Sequence, residues 1–170
     1  SDAWSLGILF RELMTFYDAR RNNRAADLPA LPIQFADYAI WQRAWLRGDE
    51  LERQLSYWKT NLAGAPSAIT LPTDRPHAPT QTYNGAIISR TLSKELGTRL
   101  EALSRQHNAT LFMTLLAVFN MLLARYSGED DIVIGTPIAG RNHSETEGII
   151  GFFLNTLCLR TDLSGNPDFH

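Results

Sequence analysis

The chain reads as a mixed α/β protein, on two observations. Segments with helical periodicity alternate with short apolar runs rich in β-branched residues, and this alternation continues on both sides of one proline-rich connector. Such an order favours two mixed α/β lobes over a helical bundle.

Each element has a local reason. From Trp4 to Tyr17 the apolar residues Leu6, Leu9, Phe10, Leu13 and Tyr17 recur at three- and four-residue steps, one face of an amphipathic helix that Ser1 or Asp2 can cap. A polar run with Arg20 and Arg24 at its ends, followed by Pro29 and Pro32, reads as a loop over 20–32. A second helix is expected over about 33–46. Gly48-Asp49 breaks it, and Asp49 with Glu52 three residues on forms a capping-box signature for a third helix. Leu51, Leu55, Trp58 and Leu62 place one apolar stripe on that helix, and Gly64-Ala65-Pro66 stops it.

Between Gly64 and Gly85 lie Pro66, Pro72, Pro76 and Pro79, half of the eight prolines, and repeated proline suits an extended connector. Asn84-Gly85 is a turn signal, and Ile87-Ile88 suggests a strand over 86–92. Ser93 caps a helix bearing Leu96, Leu100 and Leu103, and Thr110 caps a strongly apolar one that Gly128 ends. That run, 111–126, is shorter than a bilayer span and carries Thr114, Asn120 and Arg125, so it reads as a buried helix with no role in a membrane. Short strands are expected over 131–135 and 155–160.

Composition excludes several functions. In 170 residues, 44% hydrophobic and 20% charged is a globular balance, and a net charge of -2 gives no attraction for nucleic acid or an anionic membrane. The one cysteine, Cys158, sits in Leu157-Cys158-Leu159 and reads as a buried small hydrophobe of a reducing compartment. No Cys/His cluster gives a metal site, and Gly135-Thr136-Pro137 lacks the Gly-Lys-Ser/Thr ending of a phosphate loop. Asn108-Ala109-Thr110 and Asn142-His143-Ser144 match the glycosylation pattern, with no secretory signal behind them.

The most specific residues are Ile134-Gly135-Thr136-Pro137-Ile138-Ala139-Gly140-Arg141-Asn142, followed by Gly151-Phe152-Phe153-Leu154-Asn155-Thr156. Two further stretches precede them, Ser1-Asp2-Ala3-Trp4-Ser5 and Phe35-Ala36-Asp37-Tyr38-Ala39-Ile40-Trp41-Gln42-Arg43. In this order they resemble core motifs of the condensation domains of nonribosomal peptide synthetases. The resemblance implies a chloramphenicol-acetyltransferase-like fold of two lobes with a tunnel between them, incomplete in this chain. Residues 1–65 would end the N-terminal lobe, 66–85 form the connector and 86–170 begin the C-terminal lobe.

It also implies the chemistry. Such a domain joins a carrier-bound acyl or peptidyl thioester to an aminoacyl thioester on a second carrier, using a histidine of a His-His-x-x-x-Asp-Gly motif. Both histidines of that motif would precede residue 1, so no catalytic residue is expected here, and the chain alone is expected to be inactive. His77, His107, His143 and His170 match no catalytic position, and His77, His107 and His170 read as surface residues. Asp2 matches the motif aspartate, with Arg141 as its expected partner from the opposite lobe. A buried carboxylate needs a cation or several donors, although a plain helix cap is the alternative for Asp2.

Ala3 stands where the motif has glycine; alanine is strained there if the position needs a positive φ, and better than glycine if it is helical. Trp4-Ser5 resembles the subtype joining L-configured donors to L-configured acceptors. Ser1, Ala3, Trp4, Gly135, Thr136, Pro137 and Asn155 are the candidate channel residues, the small ones letting a thin pantetheine arm approach the backbone. Asn155 can serve an amide or thioester in the channel or equally satisfy a strand end. Tyr38, Trp41, Gln42 and Arg43 are expected as scaffold. The resemblance implies no directly bound cofactor or metal, phosphopantetheine on upstream and downstream carrier proteins, an adjacent adenylation domain and a cytoplasmic setting. A non-catalytic platform that recruits carriers or tailoring enzymes is the rival, and an epimerisation domain is a second one.

Overall fold

A computed structural model of the protein describes residues 1–76, 80, 83–165 and 167–168. His77 and His170, expected at the surface, and Pro79 of the connector lie outside the described residues. Two compact units emerge, Ser1–Ala63 with Ile134–Leu159, and Gly64–Val133 with Arg160–His170. Membership follows contact and not chain order. The segment 134–159, expected to begin the second lobe, packs with residues 1–63.

The first unit opens with α1 (Ala3–Arg21), α2 (Phe35–Trp45) and α3 (Gly48–Asn61). Helix α1 runs past the expected end and takes in Arg20 and Arg21, whose charges suit the negative end of the helix dipole. Asn23, with φ of 49°, then turns the chain away. In α2, Asp37 Oδ2 accepts the Gln34 N–H at 2.8 Å and so closes the first turn. The capping box expected at Asp49 does not form: Arg47 is the N-cap of α3, and Asp49 and Glu50 lie inside its first turn. Gly48, with φ of 51°, takes a left-handed conformation open to glycine at little cost, and the helix starts there. Glu50 instead accepts from Arg53 and Gln54.

The second unit holds α4 (Lys94–Gln106) and α5 (Leu111–Ser127), each capped as the sequence suggests. Ser93 Oγ accepts the Leu96 N–H, Thr110 Oγ1 accepts the Met113 N–H, and Gly128 closes α5 at φ of 74°. The strand expected over 86–92 is absent. Ile87 and Ile88 are 93% and 84% exposed, and no described residue offers that stretch a ladder, without which β propensity alone makes no strand. Helix α5 also departs from expectation: its buried residues are Thr114 and Asn120, while Phe112, Met113, Leu115, Val118 and Phe119 are exposed. The face turned inward is polar, with Ser104 of α4 bonded to Thr114 at 2.7 Å and Asn120 Nδ2 donating to Thr161 at 2.9 Å.

Strands β1 (Asp131–Ile138) and β2 (Asn155–Asp162) pair as a two-stranded sheet, each longer than expected. Residue 131 meets 160 and residue 135 meets 156, so the strands run antiparallel. Pro137 fits because each strand of a two-stranded sheet has a free edge. The loop between the strands carries one 3-10 turn, Ser144–Thr146. Cys158 is half-buried in β2 and not fully enclosed.

Candidate functional site

The site grows from the first turn of α1. Asp2 is its N-cap in an extended conformation, and its Oδ1 accepts the Ser5 N–H at 2.9 Å. That is ordinary capping, yet the same carboxylate is almost closed off from solvent and also accepts the Phe153 N–H through Oδ2 at 3.1 Å. A buried anion of this kind needs a counter-charge. Arg141, from the loop between the strands, supplies it: Nη2 lies 3.3 Å from Asp2 Oδ1 and 3.0 Å from Ser5 Oγ. The side chains of Arg141 and Asp2 are 1% and 4% exposed, and both belong to the first unit.

The other half of the guanidinium serves the loop itself. Arg141 Nη1 donates to the Thr146 carbonyl and, at 2.8 Å, to that of Ile149. These bonds tie the 3-10 turn and the approach to β2 to one planar group, a geometry that a fork of fixed N–H directions suits and an ammonium does not. Nε of Arg141 is buried without a hydrogen-bond partner among the described residues. The guanidinium carbon also lies over the rings of Phe153, at 4.0 Å, and Trp4, at 5.6 Å. The Trp4 indole donates to the Glu147 carbonyl at 2.9 Å.

Two glycines are required by close approach. A Cβ on Gly140, already at φ of 67°, would stand 2.0 Å from the Phe153 carbonyl oxygen, and one on Gly151 would stand 2.3 Å from the Phe35 ring. Phe153 packs against α2 as well, edge-on to Phe35 at 5.2 Å and tilted against Tyr38 at 4.8 Å. Stretches far apart in sequence thus meet around one buried ring. Along α2 Trp41 lies tilted against Tyr38 at 5.7 Å and stacks on Trp45 at 5.6 Å, and it meets His143 edge-on at 5.0 Å.

Electrostatics fix the charge state of Asp2. Burial alone would raise its pKa, but the Ser5 hydroxyl, the Ser5 and Phe153 N–H groups and the Arg141 charge outweigh it and hold the carboxyl well below its usual range. Asp2 is therefore held as an anion by four donors.

Of the candidate residues, Asp2, Arg141 and Trp4 come together. Ala3 starts α1 in helical conformation, where alanine is favoured over glycine. Ala3 and Trp4 line an open cleft of about 630 Å³ with Gly7, Arg11, Glu147 and Gly148. Ser1 is exposed ahead of the helix. Gly135, Thr136 and Pro137 lie along β1, where a Cβ on Gly135 would press on Thr156 at 3.3 Å. Asn155 Oδ1 accepts the Thr156 N–H at 2.8 Å, turned to its own strand. Sequence reasoning missed Ser5, Thr146 and Phe153 as members of the cluster; the visible signal was the Asp2-x-x-Ser5 spacing of a first helical turn. No described group of three or more acidic, histidine or cysteine residues could hold a metal, and no single helix is long and apolar enough to cross a membrane.

Comparison with known proteins gives a consistent result. The family model described as Condensation domain matches residues 1–170. A linear gramicidin synthase of Brevibacillus parabrevis is 56% identical over 169 residues, covering 99% of this chain and 3% of that protein, so the chain spans only a small part of such a relative. The X-domain from teicoplanin biosynthesis superposes with a TM-score of 0.89 at 32% identity, covering 99% of this chain and 39% of that one. A four-domain nonribosomal peptide synthetase solved with AMP and glycine gives a TM-score of 0.80 at 31% identity, covering 95% of this chain and 12% of that one.

Proposed function

Since the chain belongs to the condensation domain family, with the chloramphenicol-acetyltransferase-like fold of which it holds a part, we propose that it serves amide-bond formation between carrier-bound thioesters in nonribosomal peptide synthesis. The observation that carries this reading is the buried Asp2–Arg141 pair at the meeting of the motifs. The amine of the acceptor attacks the donor thioester carbonyl, the C–S bond breaks as the C–N bond forms, and the amine proton leaves with the pantetheine thiol. A histidine of the motif preceding Asp2 would move that proton, and Asp2 and Arg141 would fix the backbone that carries it. The cleft beside Ala3 and Trp4, open at Gly7, supports access for a pantetheine arm. The partners in this reading are two carrier proteins and a neighbouring adenylation domain, in the cytoplasm.

The test uses the complete domain containing this chain, incubated with loaded donor and acceptor carriers and followed by mass spectrometry. Dipeptidyl thioester on the acceptor carrier is expected. Its absence, with the donor residue epimerised or both carriers bound but unreacted, would replace the reading by an epimerisation domain or a recruitment platform. The 170-residue chain alone is expected to show no turnover above the carriers without it.

A further inference from the structure

Ser5 carries more than the first helical turn requires. Its side-chain oxygen lies 2.7 Å from Asp2 Oδ1, 2.7 Å from the Gly151 carbonyl, 3.0 Å from the Gly151 nitrogen and 3.0 Å from Arg141 Nη2. A hydroxyl has one proton, so two equally close acceptors compete for it while the two N–H donors fill its lone pairs. The competition is uneven in consequence. Without the Ser5 proton, Asp2 keeps three donors: the Ser5 N–H, Arg141 and the Phe153 N–H. Gly151 has no such reserve among the described residues, since its N–H and its C=O both point to Ser5 Oγ.

The stretch 150–154 belongs to neither helix nor strand, so no ladder holds its backbone. Ser5 and Asp2 replace the ladder: Ser5 takes both polar groups of Gly151, and Asp2 takes the N–H of Phe153. Two residues on, β2 begins at Asn155. Asp2 and Arg141 thus anchor the charge, while the hydroxyl of Ser5, itself buried, sets the register of the segment entering β2.

We propose that Ser5 is a positioning residue of the amide-forming reaction: its hydroxyl latches Gly151 to the first turn of α1 and so fixes where β2, with Asn155 at its head, begins. This rests on the functional reading above. The loss of a latch misplaces groups already bound, so it lowers kcat and leaves carrier binding alone.

The experiment makes Ser5→Ala in the complete condensation domain and reads kinetics and amide hydrogen exchange together. Expected is a loss of kcat of about tenfold or more with KM for the donor carrier within about twofold, and faster exchange over residues 151–154 with α4 unchanged. The control is Ile132→Val or Ile132→Ala, whichever matches the melting temperature of Ser5→Ala; Ile132 is buried in β1 outside the cluster, and its variant is expected to keep kcat. A kcat equal to wild type, or the same loss in the matched Ile132 variant, overturns the proposal. If the wild-type domain forms no amide, the functional reading fails instead; the exchange arm then decides the latch by itself, and unchanged protection at Gly151 overturns it.

Discussion

Asp2 and Arg141 face each other with their side chains almost closed off from solvent, and each leaves the other stranded if it is removed. Loss of one partner of a buried pair commonly costs about 3–5 kcal/mol, because the remaining charge stays buried without compensation. Asp2→Ala and Arg141→Ala in the complete domain should therefore each lower stability by that order, and the double variant should fall well short of the sum. Strict additivity in denaturant unfolding would show that the pair does not interact. The same pair gives a pH dependence. Asp2 has a depressed pKa when folded, so its stabilisation is complete above the ordinary value of 3.8 and fades as pH falls below it. Between pH 5 and pH 3 the unfolding free energy of wild type should drop more than that of Asp2→Asn; parallel curves would exclude Asp2 as the source. At this scale the pairing of residues 2 and 141 was legible only through the resemblance, since no periodicity links residues so far apart. Ser5 and Phe153 stayed hidden because a hydroxyl and a ring carry no charge pattern to announce a partner.

Helices fared best among the elements, for a physical reason: their signals are local. Ser93, Thr110 and Gly128 mark ends by hydrogen bonds and φ values that depend on four or five neighbours. Thr110→Ala removes the acceptor of the Met113 N–H and should destabilise the second unit by about 1 kcal/mol, with Thr110→Ser close to wild type; equal losses in both would assign the effect to packing of the methyl group. The stretch 86–92 failed as a strand for the complementary reason. Its propensity is local, but its hydrogen bonds must come from elsewhere, and no described segment provides them. At α3 the capping signature misled because the helix starts at Gly48, two residues earlier than a cap at Asp49 would set it, and Asp49 meets the helix dipole from within.

For the whole molecule, alternation announced a mixed fold but not which segments cluster. Residues 134–159 join the first unit because Arg141, Gly151 and Phe153 bond to α1, a grouping that chain order does not suggest. Among the described residues few apolar side chains are buried; Ile8, Ala19, Ile132, Ile149 and Phe153 are, while α1 and α5 expose Phe10, Leu13, Phe112 and Phe119. Surfaces of that kind bind apolar dyes. The 170-residue chain alone should bind a fluorescent hydrophobic probe and melt over a broad range. A sharp transition without dye binding would mark it as a self-sufficient domain.

The Asp2–Arg141 contact joins residues 139 positions apart. Closing so long a loop is entropically costly, whereas the helices form from neighbours, so the contact belongs late in folding. Asp2→Ala should then leave the refolding limb of a chevron plot in place and speed unfolding; slower refolding with unchanged unfolding would put the pair in the folding nucleus. During synthesis the consequence is a waiting time. At about 5–20 residues per second, residue 2 is made roughly 7–28 s before its guanidinium partner, and until that partner exists the first turn of α1 has only its own cap to hold it.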